Sequence, residues 1–183
     1  MKINRNDTVL LIIDVQEKLM PVIHEHEEIL RNMERLIRGC HILGVPTVIT
    51  EQYVKGLGPT VAPIAQALEE VGEPSPIEKS CFSAQRCDAF AAQLAALERK
   101  HVLVTGVETH VCVWQSVQDL IESHYAVSVV ADAVSSRSPR NRDIALRRME
   151  SEGAKLTSTE MALFELLVEA GTDEFRAVSR LIK

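Results

Sequence analysis

The sequence has no excess of positive charge, no long apolar run and few aromatic residues, and each shortage narrows what the chain can do. Of 183 residues, 26 are Asp or Glu and 20 are Lys or Arg, a formal net charge of −6. That balance lacks the basic footprint of a nucleic-acid binder, so no nucleic-acid partner is expected. No uninterrupted apolar stretch is long enough to span a bilayer. The opening "MKINRNDTVLL" carries only a short apolar run after its charged residues, unlike a secretory leader. A cytoplasmic protein with no membrane partner is expected. The four cysteines, Cys40, Cys81, Cys87 and Cys112, lack the paired spacings of a zinc site or a disulfide framework and read as reduced thiols. Internal repeats, low-complexity tracts and Pro/Gly/Ser linkers are also missing, so residues 1–183 are expected to form one domain.

What is present is a repeated switch of hydrophobic period. Thr8 to Asp14, Pro46 to Thr50, His101 to Val107 and Ala126 to Asp132 are short, rich in β-branched residues and apolar at successive positions. That pattern predicts strands covered on both faces. Pro76 to Lys79 and Ala154 to Ser158 are weaker strand candidates. Between them, Ile29, Leu30, Met33, Leu36, Ile37 and Cys40 have the spacing of one buried helical stripe, as do Cys87, Phe90, Ala91, Leu94 and Leu97. About six strand-helix alternations predict a parallel sheet with helices on both faces. The longest irregular stretches, Glu51 to Thr60 and Gly72 to Pro76, border strands and are candidates for lining a site.

In such a sheet, ligands bind beyond the carboxyl ends of the strands. Asp14 ends the first predicted strand, Lys79 the third, and Cys112 lies just past the fourth. Each has an ordinary alternative. A strand-ending aspartate is commonly a turn former, a lysine is commonly solvated, and a free cysteine commonly packs as a small hydrophobe. Together, a carboxylate, a cation and a thiol at three strand ends compose a nucleophile site.

The stretches "LLIIDVQEKL", "TEQYVKGLGPTV", "EKSCFSA", "GVETHVCV" and "VVADAVSSRS" resemble the isochorismatase-like cysteine hydrolases, a superfamily that includes nicotinamidases and N-carbamoylsarcosine amidohydrolase. The resemblance runs from about Thr8 into the last helices. It implies a three-layer α/β/α sandwich around a parallel six-stranded sheet of order 3-2-1-4-5-6, and a catalytic aspartate, lysine and cysteine at Asp14, Lys79 and Cys112. It further implies a cis peptide bond between Val107 and Glu108, with the backbone N–H groups of Glu108 and Cys112 forming an oxyanion hole. Family members commonly assemble, so a homo-oligomer is expected.

The implied reaction is hydrolysis of a C–N bond in a small-molecule substrate. Lys79 and the helix that begins near His110 are expected to favour the Cys112 thiolate, and Asp14 to serve as general base and then general acid. Nicotinamidases hold a metal with histidines after the second strand, but Glu51 to Pro63 contains none, so neither a metal nor another cofactor is expected. Gln16, Tyr53, Phe82, His110 and Trp114 flank the motifs and are candidates to line a partly aromatic pocket; Phe82 and Trp114 equally suit core or oligomer contacts. Two alternatives stand beside this reading: a hydrolase of another bond, as in isochorismatase itself, and a fold relative that serves as a binding or scaffold protein.

Overall fold

The computed structural model describes residues 2–72 and 75–183. Its strands are β1 (Thr8–Ile13), β2 (Thr47–Gln52), β3 (Ile77–Lys79), β4 (His101–Val107), β5 (Ala126–Ser135) and β6 (Lys155–Thr157). They form one six-stranded parallel sheet in the order β3-β2-β1-β4-β5-β6, the order that the resemblance implies. Parallel neighbours need crossovers. These carry helices α1 (His26–Ile42), α2 (Val54–Leu57), α3 (Ala62–Val71), α4 (Asp88–Ala96), α5 (Trp114–Glu122) and α6 (Pro139–Ser151), and α7 (Thr159–Leu167) and α8 (Asp173–Ile182) follow β6.

The strand period of two divides the core into two layers. Leu10, Ile12, Ile49 and Leu103 pack with Met33 and Leu36 of α1, Ile64 of α3, Leu163 of α7 and Val178 of α8. Val9, Leu11, Ile13, Val48 and Val104 face the other way, onto Phe90 and Leu94 of α4, Val117 and Leu120 of α5 and Met149 of α6. Burying each such side chain contributes about 1.5–3 kcal/mol, which is why the central strands read as continuous apolar runs.

Two strands extend beyond their apolar runs. Glu51 and Gln52 belong to β2 because they pair with Glu78 and Lys79 of β3, and β5 continues to Ser135 past a register shift opposite Val104 to Gly106. The stretch Glu51 to Thr60 is therefore only partly irregular, since β2 takes its start and α2 its middle. In the stretch Gly72 to Pro76, Glu73 and Pro74 lie outside the described residues.

One glycine controls how closely β4 approaches β1. Gly106 has φ +117°, and a Cβ there would lie 2.2 Å from the Ile13 carbonyl oxygen and 2.5 Å from its nitrogen. Only glycine combines that dihedral with that contact. The close approach brings the residues that follow β1 and β4 side by side.

Candidate active site

Asp14 follows β1 in the left-handed region, at φ +55°. Its N–H donates to the Thr50 carbonyl at 3.1 Å, which locks it beside the end of β2. Thr50 Oγ1 donates to its Oδ1 at 2.8 Å, and Lys79 Nζ lies 2.7 Å from its Oδ2 with both side chains 0% exposed. The ammonium also faces Gln52 Oε1 at 2.7 Å and the carbonyls of Cys81 at 3.2 Å and Phe82 at 3.1 Å. Its three protons are thus shared among four acceptors. Gln52 is fixed in turn, donating from Nε2 to the Ser80 carbonyl and from its backbone to Gln16 Oε1.

Cys112 sits in a π-helical turn, Thr109–Val113, that runs directly into α5. Its thiol neighbours the Asp14 carboxylate and the Lys79 ammonium, and the residue is 7% exposed. Burial pushes this thiol well up, the adjacent Asp14 carboxylate adds to the rise, and the Lys79 ammonium pulls down without prevailing. This reverses the expected preference for thiolate. A cation was legible at this position, whereas desolvation of the sulfur and the nearness of the carboxylate were not. Of the other thiols, Cys40 is on the buried face of α1, in the core, and Cys81 and Cys87 are partly exposed.

The remaining candidates fall in different surroundings. Gln16 is buried, and its amide is engaged in tying loops together through Gln52 and the Gly58 carbonyl. Trp114 packs in the core, with the Arg148 guanidinium 4.2 Å from its ring. Tyr53 and Phe82 are 55% and 52% exposed on the segments after β2 and β3. His110 Nδ1 lies 2.9 Å from Ser136 Oγ. The Val107–Glu108 peptide bond is cis. Among the described residues, no group of three or more His, Cys, Asp or Glu is placed to hold a metal ion, and no helix is long and apolar enough to cross a membrane.

Gln52 and Arg137 belong to this region; they lie inside the stretches "TEQYVKGLGPTV" and "VVADAVSSRS" but were not among the candidate site residues. Gln52 is recognisable only from its register opposite Lys79. Arg137 donates from its backbone N–H and from Nε to Glu108 Oε2, both at 3.0 Å. Burial works to raise the Glu108 carboxyl, but the Arg137 bonds outweigh it and hold the group below the usual carboxylate range.

The family model for the isochorismatase domain matches residues 8–161. The secreted isochorismatase effector Isc1 of Phytophthora sojae is 37% identical over 179 residues, covering 97% of this chain and 85% of that one. The structure of the MAR1 ribonuclease from Caenorhabditis elegans superposes with a TM-score of 0.92 at 38% identity, covering 100% of this chain and 92% of that chain. YcaC from Pseudomonas aeruginosa, solved with hexane-2,5-diol and covalent acrylamide, has a TM-score of 0.88 at 25% identity over 99% of this chain and 95% of that chain. By its sheet order, its matched domain and relatives that align along nearly its whole length, the chain belongs to the isochorismatase family of hydrolases.

Proposed function

We propose that the protein is a cysteine hydrolase that cleaves the C–N bond of a small amide or carbamoyl compound, with Asp14, Lys79 and Cys112 as its reacting set. The observation that carries this reading is the buried Cys112 thiol beside a carboxylate that a fully buried ammonium pins in place. The sulfur attacks the carbonyl carbon while its proton passes to Asp14. Asp14 then returns that proton to the leaving nitrogen as the C–N bond breaks, leaving a thioester on Cys112. Water hydrolyses the thioester, again through Asp14, and the thiol is restored. The N–H groups of Glu108 and Cys112 receive the oxyanion, the usual backbone solution for acyl transfer. Lys79 already faces four acceptors, so its role is to hold charge rather than to shuttle protons.

Exposures of 0%, 3% and 7% at Asp14, Lys79 and Cys112 suit a small substrate, and the exposed rings of Tyr53 and Phe82, on the segments after β2 and β3, are the side chains proposed to meet it. The C. elegans relative is named a ribonuclease, but a net charge of −6 weighs against a polyanionic substrate here. A homo-oligomer is supported by exposed Met161, Phe164 and Val168 along and just past α7. The test is ammonia or amine release from a panel of small amides and ureas, run beside Cys112→Ala and Asp14→Asn, with total RNA as a separate arm and a chelated sample as control. Release by the wild type, lost in both variants and indifferent to chelation, is expected. Turnover that survives Cys112→Ala, or degradation of RNA alone, overturns the proposal.

A further inference from the structure

The loops that leave β1, β4 and β5 are laced together at the carboxyl edge of the sheet. Ser135 Oγ donates to the His24 carbonyl at 2.8 Å, the His24 N–H donates to the Ser136 carbonyl at 3.1 Å, and Ser136 Oγ lies against His110 Nδ1. The next rung is the pair of Glu108 and Arg137. It is asymmetric, since the Glu108 side chain is 9% exposed and that of Arg137 63%. Both Arg137 donors reach the same carboxylate oxygen, and one of them is a main-chain N–H. The contact therefore fixes the backbone of the β5 loop to Glu108 and is more than a flexible surface ion pair. The Glu108 carbonyl, meanwhile, accepts from the N–H groups of Val111 at 3.0 Å and Val113 at 3.3 Å, so it anchors the turn that carries Cys112. Glu108 is held by its side chain on one side and by its carbonyl on the other.

We infer that Glu108 and Arg137 are positioning residues, whose ion pair aims the Glu108 backbone N–H at the oxygen of a carbonyl under attack by Cys112. This rests on the function proposed above. It differs from a merely structural contact in one respect, because it predicts an effect on reactions that build an oxyanion and none on reactions that do not.

Two probes separate these. With p-nitrophenyl acetate, the Cys112 sulfur bonds the acetyl carbon through an oxyanion, the bond from that carbon to the phenolic oxygen breaks, and p-nitrophenolate leaves while the thiol proton passes to Asp14. With iodoacetamide, the sulfur displaces iodide at a saturated carbon and no oxyanion forms. Removing an oxyanion donor outright costs about 100- to 1000-fold. A donor left present but less well aimed is expected to cost about tenfold in Arg137→Ala, which retains the backbone bond to Glu108, with partial recovery in Arg137→Lys. Iodoacetamide labelling of Cys112, read by peptide mapping, is expected to be unchanged within about twofold on this reasoning. Thermal melts of each variant establish that it is folded. Equal acylation of Arg137→Ala and wild type overturns the inference, as does a parallel loss of both rates. Failure of the wild type to acylate at Cys112 at all sinks the proposed function and this inference with it.

Discussion

Replacing Lys79 by methionine leaves three kinds of acceptor without their donor: the Asp14 carboxylate, Gln52 Oε1 and the carbonyls of Cys81 and Phe82. At the observed 2.7 Å between Lys79 and Asp14, Coulomb's law with an effective dielectric of about 20 gives a gross attraction of roughly 6 kcal/mol. Desolvating two ions offsets much of that, and the measured cost of breaking comparable buried pairs is about 3–5 kcal/mol. For a domain of this size each kcal/mol moves the melting temperature by about 2–4 °C, so Lys79→Met is expected to lower it by roughly 6–20 °C. Asp14→Asn strands the ammonium and is expected to lose a similar amount. The double variant leaves neither charge unpaired, so it should lose less than the sum, with a coupling of about 2 kcal/mol or more. Urea unfolding at neutral pH followed by circular dichroism, with calorimetry for the melting temperatures, reads all four corners of this cycle. A loss below about 1 kcal/mol in Lys79→Met, or strict additivity in the double variant, would refute the reasoning, because a pair so fully buried cannot be energetically independent.

Alkylation of Cys112 should be nearly flat between about pH 6 and 8 in the wild type, because its proton goes to Asp14 rather than to solvent; in Asp14→Asn it should be slower and rise about tenfold per pH unit, and equal slopes would contradict the internal transfer. Gly106→Ala places a Cβ 2.2 Å from the Ile13 carbonyl at φ +117°, so a loss of about 3 kcal/mol or more is expected in chemical denaturation, and a neutral result would mean that β4 and β1 separate freely. His101 is 3% exposed with Nε2 2.8 Å from Ser128 Oγ, and burial holds it below the usual histidine value despite Asp7 and Glu165 nearby. Its stabilising contribution is therefore present above about pH 6.5 and lost as pH falls through the lower folded value; unfolding free energies should decline over that range in the wild type and flatten in His101→Gln, and identical slopes would dismiss the assignment.

Much of this was legible because the two faces of a parallel sheet are both buried. Val9, Leu11 and Ile13 serve one layer and Leu10 and Ile12 the other, so the run announces its environment. Asp14, Lys79 and Cys112 were legible because polar residues at the ends of such runs stand out. The ends of β2 and β5 were not, since Glu51, Gln52 and Ser135 are polar and join the sheet only through their neighbours' registers. The contact of Glu108 with Arg137 spans 29 residues and links loops after adjacent strands, a pairing that local pattern does not encode. Trp114 was ambiguous because its place beside the motif says nothing about direction; it points into the layer shared with Met149 and lies beneath Arg148.

The raised Cys112 thiol bears on how the proposed reaction keeps charge in balance. Asp14 and Lys79 already form a neutral pair with side chains 0% exposed, and the thiol beside them adds no charge. Losing the thiol proton to solvent would leave a net negative charge in a place with almost no access to water, at a cost of several kcal/mol. Passing the same proton to Asp14 leaves the net charge at zero, with the ammonium now countered by sulfur instead of oxygen. For that exchange the cation must stay fixed while its partner changes, and the bonds of Lys79 to Gln52 Oε1 and to two backbone carbonyls supply the anchorage. On this argument the ammonium stabilises both the resting pair and the attacking thiolate from a single position, and Gln52, itself held by Gln16 and the Ser80 carbonyl while it accepts from Lys79, matters because it keeps that position constant.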